Sequence, residues 1–90
     1  MYGVIKMSEY INELKKLISE ELKSLGYRIM PRGQNSFRVI KNGTVVMIVE
    51  DKGEYIEMSY GGKRYSYDKW YTKPNHLADV ILRLYRQRSQ

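Results

Sequence analysis

Apolar residues Ile11, Leu14, Ile18, Leu22 and Leu25 recur at intervals of three and four, and Leu17 widens the stripe. Ser8 stands where an N-cap belongs and Gly26 where a left-handed residue would end the helix, so the spacing predicts a helix over about 8–25. Glu9, Glu13, Lys16, Glu20 and Lys23 fall on the opposite, solvent-facing side. Towards the other end, Leu77, Val80, Ile81 and Leu84 repeat in the same way. They predict a second helix starting near Asn75, which can cap it just after Pro74. Arg83, Arg86 and Arg88 suit the negative end of its dipole.

Between the helices the pattern changes to short runs cut by turn residues, predicting strands near 27–31, 36–41, 44–50, 54–60 and 63–69. Asn42-Gly43 suits a two-residue hairpin, because both residues tolerate positive φ, and would pair Lys41 with Thr44, Val39 with Val46 and Phe37 with Ile48. Gly61-Gly62 would pair Tyr60 with Lys63, Met58 with Tyr65 and Ile56 with Tyr67. A three-residue Asp51-Lys52-Gly53 loop would set Glu50 opposite Glu54 and Ile48 opposite Ile56. A five-residue loop at 31–35 would set Met30 opposite Ser36 and Ile29 opposite Phe37.

Paired residues share a sheet face. These registers gather Tyr27, Ile29, Phe37, Val39, Val46, Ile48, Ile56, Met58, Tyr65 and Tyr67 on one uncharged face, against which both helices should pack. The expected fold is a single α+β domain spanning 1–90: helix, five-stranded antiparallel meander, helix, in two layers with both helices on one sheet face.

The second face would mix Arg28, Arg38, Arg64 and Tyr55 with an apolar middle of Ile40, Val45, Met47 and Val49. A solvated sheet face should be polar across its width, so this one calls for a cover. Three covers compete. One helix could lie on it, giving three layers; a second copy of the chain could bury Ile40, Val45, Met47 and Val49 as a homodimer interface; or the face could be a nucleic-acid platform, with arginines on phosphates and Tyr55 stacked on a base.

Charge alters the balance among these. The net charge is +6, which favours polyanionic partners such as DNA or RNA. Residues 27–49 contain Arg28, Arg32, Arg38 and Lys41 and no acid, whereas 50–57 reverse the sign with Glu50, Asp51, Glu54 and Glu57 against Lys52. There is no cysteine and only His76, which argues against disulfides, thiolate chemistry and a histidine-based metal site. No apolar run is long enough to cross a membrane and no secretory leader pattern opens the chain, so an intracellular (cytoplasmic) setting is expected. Abundant Lys, Glu, Ile and Tyr point to a thermophilic source.

Few segments carry chemistry. Lys69-Trp70-Tyr71-Thr72-Lys73 interleaves bases with aromatics, as single-strand stacking sites do, at the same sheet end as Arg32 and Lys52. The bland reading, that Trp70 plugs the core at the strand-to-helix corner with Tyr71 over it, is preferred. The loop Pro31-Arg32-Gly33-Gln34-Asn35-Ser36 reads as a plain surface turn, and His76 as a capping or surface residue.

Glu50-Asp51-Lys52 is similar to the carboxylate-x-lysine element of a metal-dependent nuclease fold. That element needs a further acid on the preceding strand, and none occurs between Glu21 and Glu50, so a charged hairpin turn explains it. The order helix, antiparallel strands, helix is similar to that of the double-stranded-RNA-binding domain, where a lysine cluster opens the second helix; here Lys73 and His76 stand at that position.

The sequence therefore suggests a small basic non-enzymatic protein, without cofactor or metal, acting as a homodimer. Its expected ligand is nucleic acid, held by Arg28, Arg32, Arg38, Tyr55, Arg64, Lys69, Trp70, Tyr71 and Lys73. The alternative is an interaction adaptor or inhibitor, an accessory protein of a virus or mobile element, whose second face docks a protein.

Overall fold

A computed structural model describes residues 8–88. The order is α1 (Glu9–Ser24), β1 (Arg28–Arg32), β2 (Ser36–Lys41), β3 (Thr44–Asp51), β4 (Tyr55–Tyr60), β5 (Lys63–Asp68) and α2 (Pro74–Arg88). The strands form one antiparallel sheet in the spatial order β1-β2-β3-β4-β5, and both helices share one of its faces.

α1 begins where Ser8 leaves the extended region: the Oγ accepts from the Ile11 N–H at 3.2 Å. It ends in a Schellman motif, with the Tyr27 N–H donating to the Leu22 carbonyl and Gly26 N–H to that of Lys23. Gly26 takes φ 91°, a conformation a side chain would resist. α2 starts two residues earlier than Asn75 would allow as a cap. Pro74 occupies the first helical position, where its missing N–H costs nothing, and Lys73 precedes it.

One core unites the layers. α1 contributes Tyr10, Ile11, Leu14, Ile18 and Leu22; α2 contributes Leu77, Ala78, Ile81, Leu82 and Tyr85. Leu17 and Val80, placed by spacing in the buried stripes, lie at their exposed margins. The Tyr27 and Tyr85 rings meet at 4.5 Å between centroids, linking the entry to β1 with α2. Arg86 clamps Glu21 of α1 with two parallel hydrogen bonds, which fixes the helix pair at its outer edge and holds the Glu21 carboxyl below its usual range.

The sheet departs from the expected register at three of its four pairings. The β4–β5 hairpin is as expected, with Tyr60 opposite Lys63 and Met58 opposite Tyr65. In β1–β2 the loop is shorter, so Ile29 faces Val39 and Arg32 faces Ser36; the slip is two residues and leaves the faces unchanged. In β2–β3 the Asn42-Gly43 turn holds and Lys41 faces Thr44, but a bulge follows: Ile40 faces Val45 while Val39 faces Met47, leaving Val46 unpaired. β3 then turns at Gly53-Glu54, with the Lys52 N–H donating to the Tyr55 carbonyl, so Val49 faces Met58 and Asp51 faces Ile56.

Both slips beside β3 are by odd numbers, and they cancel. β1, β2, β4 and β5 therefore present the expected faces, and β3 alone is inverted beyond Val46. Met47 and Val49, expected on the second face, are core residues at 1% and 0% exposure. Ile48, expected in the core, projects from the second face beside Arg38 and Ser59.

Candidate interaction surface

The inversion of β3 defines two places where polar chemistry gathers. The first lies on the helix side, at the sheet end where β3, β4 and β5 meet the start of α1. Because Met47 and Val49 point inward, so does Asp51. Its carboxylate accepts from Ser8 Oγ, from the Gly53 N–H at 2.8 Å, and from Lys69 Nζ at 2.9 and 3.1 Å. Lys69 Nζ donates also to the Gly53 carbonyl at 3.0 Å. Burial pushes the Asp51 carboxyl up, but the Ser8, Lys69 and Gly53 donors outweigh it and hold the group below its ordinary value. Ser8, Asp51 and Lys69 thus tie α1, β3 and the end of β5 together. The Ser8 hydroxyl donates to a carboxylate already paired with a lysine, an arrangement that fixes a helix end.

Beside this knot runs an open cleft of about 1030 Å3, bordered by Glu9, Glu13, Glu54, Trp70, Lys73 and Pro74. Trp70 does not plug the core. It is 77% exposed and Tyr71 84%, because Asp68 Oδ1 accepts from both their N–H groups and turns the chain outward. The corner is closed instead by Tyr10, whose hydroxyl donates to the Thr72 carbonyl. Of the cations expected to serve phosphates here, Lys69 is consumed by Asp51 and Lys52 pairs with Glu50 at 3.4 Å. Lys73 stands among carboxylates. His76 lies exposed in the first turn of α2, its N–H bonded to the Lys73 carbonyl. Among the described residues no group of acids, histidines or cysteines could hold a metal ion, and no helix is long and apolar enough to cross a membrane.

The second place is the sheet face opposite the helices, which no other element among the described residues covers. Strand pairing orders it in rows. One runs Arg32, Ser36, Glu50, Glu57, Ser66; the next Met30, Arg38, Ile48, Ser59, Arg64. Arg28, Ile40 and Val45 align beyond them, and Tyr55 with Asp68 at the other end. Met30, Val45 and Tyr55 are each about 40% exposed, at 43%, 41% and 39%. Ile40 and Ile48 are half-buried by their neighbours. Of the expected dimer-interface residues, Ile40 and Val45 belong to this face and Met47 and Val49 do not; Ile48 comes to this face instead.

Three features of this face stand out. It carries Arg28, Arg32, Arg38 and Arg64, while among the described residues no lysine occupies a strand position on it. Its charge is divided: the β1–β2 half has three arginines and no acid, and the β3–β5 half holds Glu50, Glu57 and Asp68 against Arg64. Finally, Arg38 Nε is buried in the middle row without a hydrogen-bond acceptor. An unmet donor of this kind costs about 1–3 kcal/mol.

The nine residues nominated for nucleic acid are thus split between two surfaces, Arg28, Arg32, Arg38, Tyr55 and Arg64 on the open face and the 69–73 group beside the acidic cleft. No protein-family model, curated protein or solved structure matches the chain.

Proposed function

We propose that this protein is a non-enzymatic protein-docking module whose working surface is the open sheet face. One observation carries the reading: a sheet face that no described element covers, where arginines and acids frame half-exposed Met30, Ile40, Val45 and Ile48, with no lysine at a described strand position of that face and an unmet Arg38 Nε at its centre. Protein interfaces have cores enriched in Arg, Met and aromatics and depleted in Lys inside a polar rim; the arginines and apolar middle of this face fit such a core, and its acids and serines fit the rim. The half-exposed Met30, Ile40, Val45 and Ile48 supply an apolar middle, and the arginines and acids a polar frame around it.

A second reading, nucleic-acid binding, draws on the acid-free β1–β2 half with Arg28, Arg32 and Arg38. It is disfavoured because Glu50, Glu57 and Asp68 share the face and would repel a phosphate backbone crossing the sheet. The exposed aromatics Trp70 and Tyr71 lie off this face.

A photoactivatable phenylalanine analogue at Ser59, with Glu20 on the outer side of α1 as control, separates the two. Irradiation of the pure protein and of source-cell extract should give a discrete protein adduct from position 59 alone, abolished by Met30→Asp. Adducts that disappear on nuclease treatment would favour nucleic acid, and no adduct at all would remove both readings from this face.

A further inference from the structure

We infer that the occupant of the open face is a second copy of this chain, related to the first by a two-fold axis running parallel to β3. The inference rests on the docking reading above and names its partner. Its basis is the division of charge. Sheets packed face to face keep their strands nearly aligned, about 10 Å apart. A two-fold axis lying along β3 between two such sheets sets β1 over β5 of the other copy and β2 over its β4, while each row stays level with itself. The basic half of each copy then covers the acidic half of the other.

Arg38 is brought over Ser59 of the second copy with Glu57 one row away, so its positive charge gains a facing carboxylate. Arg32 meets the Ser66 and Asp68 end of the opposite β5. On the axis, Ile48 meets Ile48 and Val45 meets Val45, with Ile40 beside them, which closes the apolar middle. Glu50 also meets its own copy, and its pairing with Lys52 at 3.4 Å offsets part of that repulsion. The other two-fold axis available to stacked sheets, perpendicular to the strands, would lay Arg32 over Arg28 and leave Arg38 among cations. Complementarity therefore selects a single arrangement, and it is isologous, as closed dimers require.

Light scattering on the purified chain tests this. The wild type should show twice the 10.7 kDa of one chain. Arg38→Glu and Glu57→Arg should each raise the dimer dissociation constant by roughly tenfold or more, in line with close interfacial charge pairs. Both changes in one chain should restore it, because the pair is remade with reversed sign. Ile48→Asp should give a monomer with unchanged far-ultraviolet circular dichroism.

A wild type that stays at 10.7 kDa, a dimer indifferent to Ile48→Asp, or a double variant no better than the singles would overturn the inference. A monomeric wild type that still gives a foreign protein adduct from position 59 would end the second copy alone and leave the docking reading in place.

Discussion

Replacing Asp51 by Asn tests whether the knot at the start of α1 holds the two layers together. The carboxylate is 7% exposed in its side chain and receives Ser8, Gly53 and both contacts of Lys69. Asn keeps the shape and one acceptor, so the change removes charge without opening a cavity. Hydrogen bonds to a charged group contribute about 1.5–3 kcal/mol net, and a part-buried Lys69 left without its counter-ion adds to the loss. A destabilisation of about 2–4 kcal/mol is expected, out of a total of roughly 5–15 kcal/mol for a domain. At about 4–8 °C per kcal/mol for a chain of this size, the melting temperature should fall by roughly 10 °C or more.

The effect must also depend on pH in one direction. Asp51 titrates lower in the folded state than the roughly 3.9 of an unfolded aspartate, so its contribution is complete above that value and is lost as the pH falls through the depressed folded one. Melts followed by circular dichroism should show a constant gap between wild type and Asp51→Asn from neutral pH down to about 5, closing below about 4. A gap under about 2 °C at neutral pH, or one that persists unchanged in strong acid, would refute the role given to this carboxylate.

Two further outcomes follow from the same coordinates. Met47→Asp should unfold the protein, since it buries a charge at a position 1% exposed, whereas Ile48→Asp should leave a cooperative melt; the opposite pairing would mean that β3 carries no bulge at Val46. Burial pushes the phenols of Tyr10 and Tyr85 up to about 12, reinforced by the charge of Asp51 and by Tyr27 respectively. The folded state therefore keeps protons that the unfolded state releases near 10, and stability should hold up to that pH and decline between about 10 and 12. Phenolate absorbance should show these two tyrosines ionising after the exposed ones, and a titration complete by pH 10.5 or so, with the fold intact, would contradict their burial.

The sequence reveals most where a residue type has a single physical use. Gly26, Asn42-Gly43 and Gly61-Gly62 all take positive φ, and each ends or turns its element where expected. Helix stripes are legible because a period of 3.6 leaves polar gaps. β3 is not, and the reason is local: Val45, Val46, Met47, Ile48 and Val49 are apolar without interruption, so no alternation fixes which of them faces the core. A bulge can sit anywhere in such a run at no cost in hydrophobic pattern. The weak signal was at its ends, where a register placing Asp51 inward, opposite Ile56, would have required a partner such as Lys69, distant in sequence. Trp70 was misplaced for a similar reason. Its size argues for burial, but Asp68 two residues earlier is an efficient turn former, and Tyr10, near the other end of the chain, already fills the corner.

The bulge at Val46 links the core, the knot and the open face. Without it β3 would send Val46, Ile48 and Glu50 inward, putting a carboxylate under the helices and leaving Asp51 on the far side of the sheet from Ser8. With it, Met47 and Val49 fill the core, Asp51 reaches the cap of α1, and Ile48 takes its place between Arg38 and Ser59. An apolar side chain at that position is only half-buried in an isolated two-layer fold and leaves the rest of its surface open. Arg38 compounds the point: its Nε is desolvated by its neighbours and receives no acceptor in return. A buried donor without a partner and an apolar side chain left half-open both call for an explanation. The same face turned about an axis along β3 sets a carboxylate against the charge of Arg38 and an apolar group over β3.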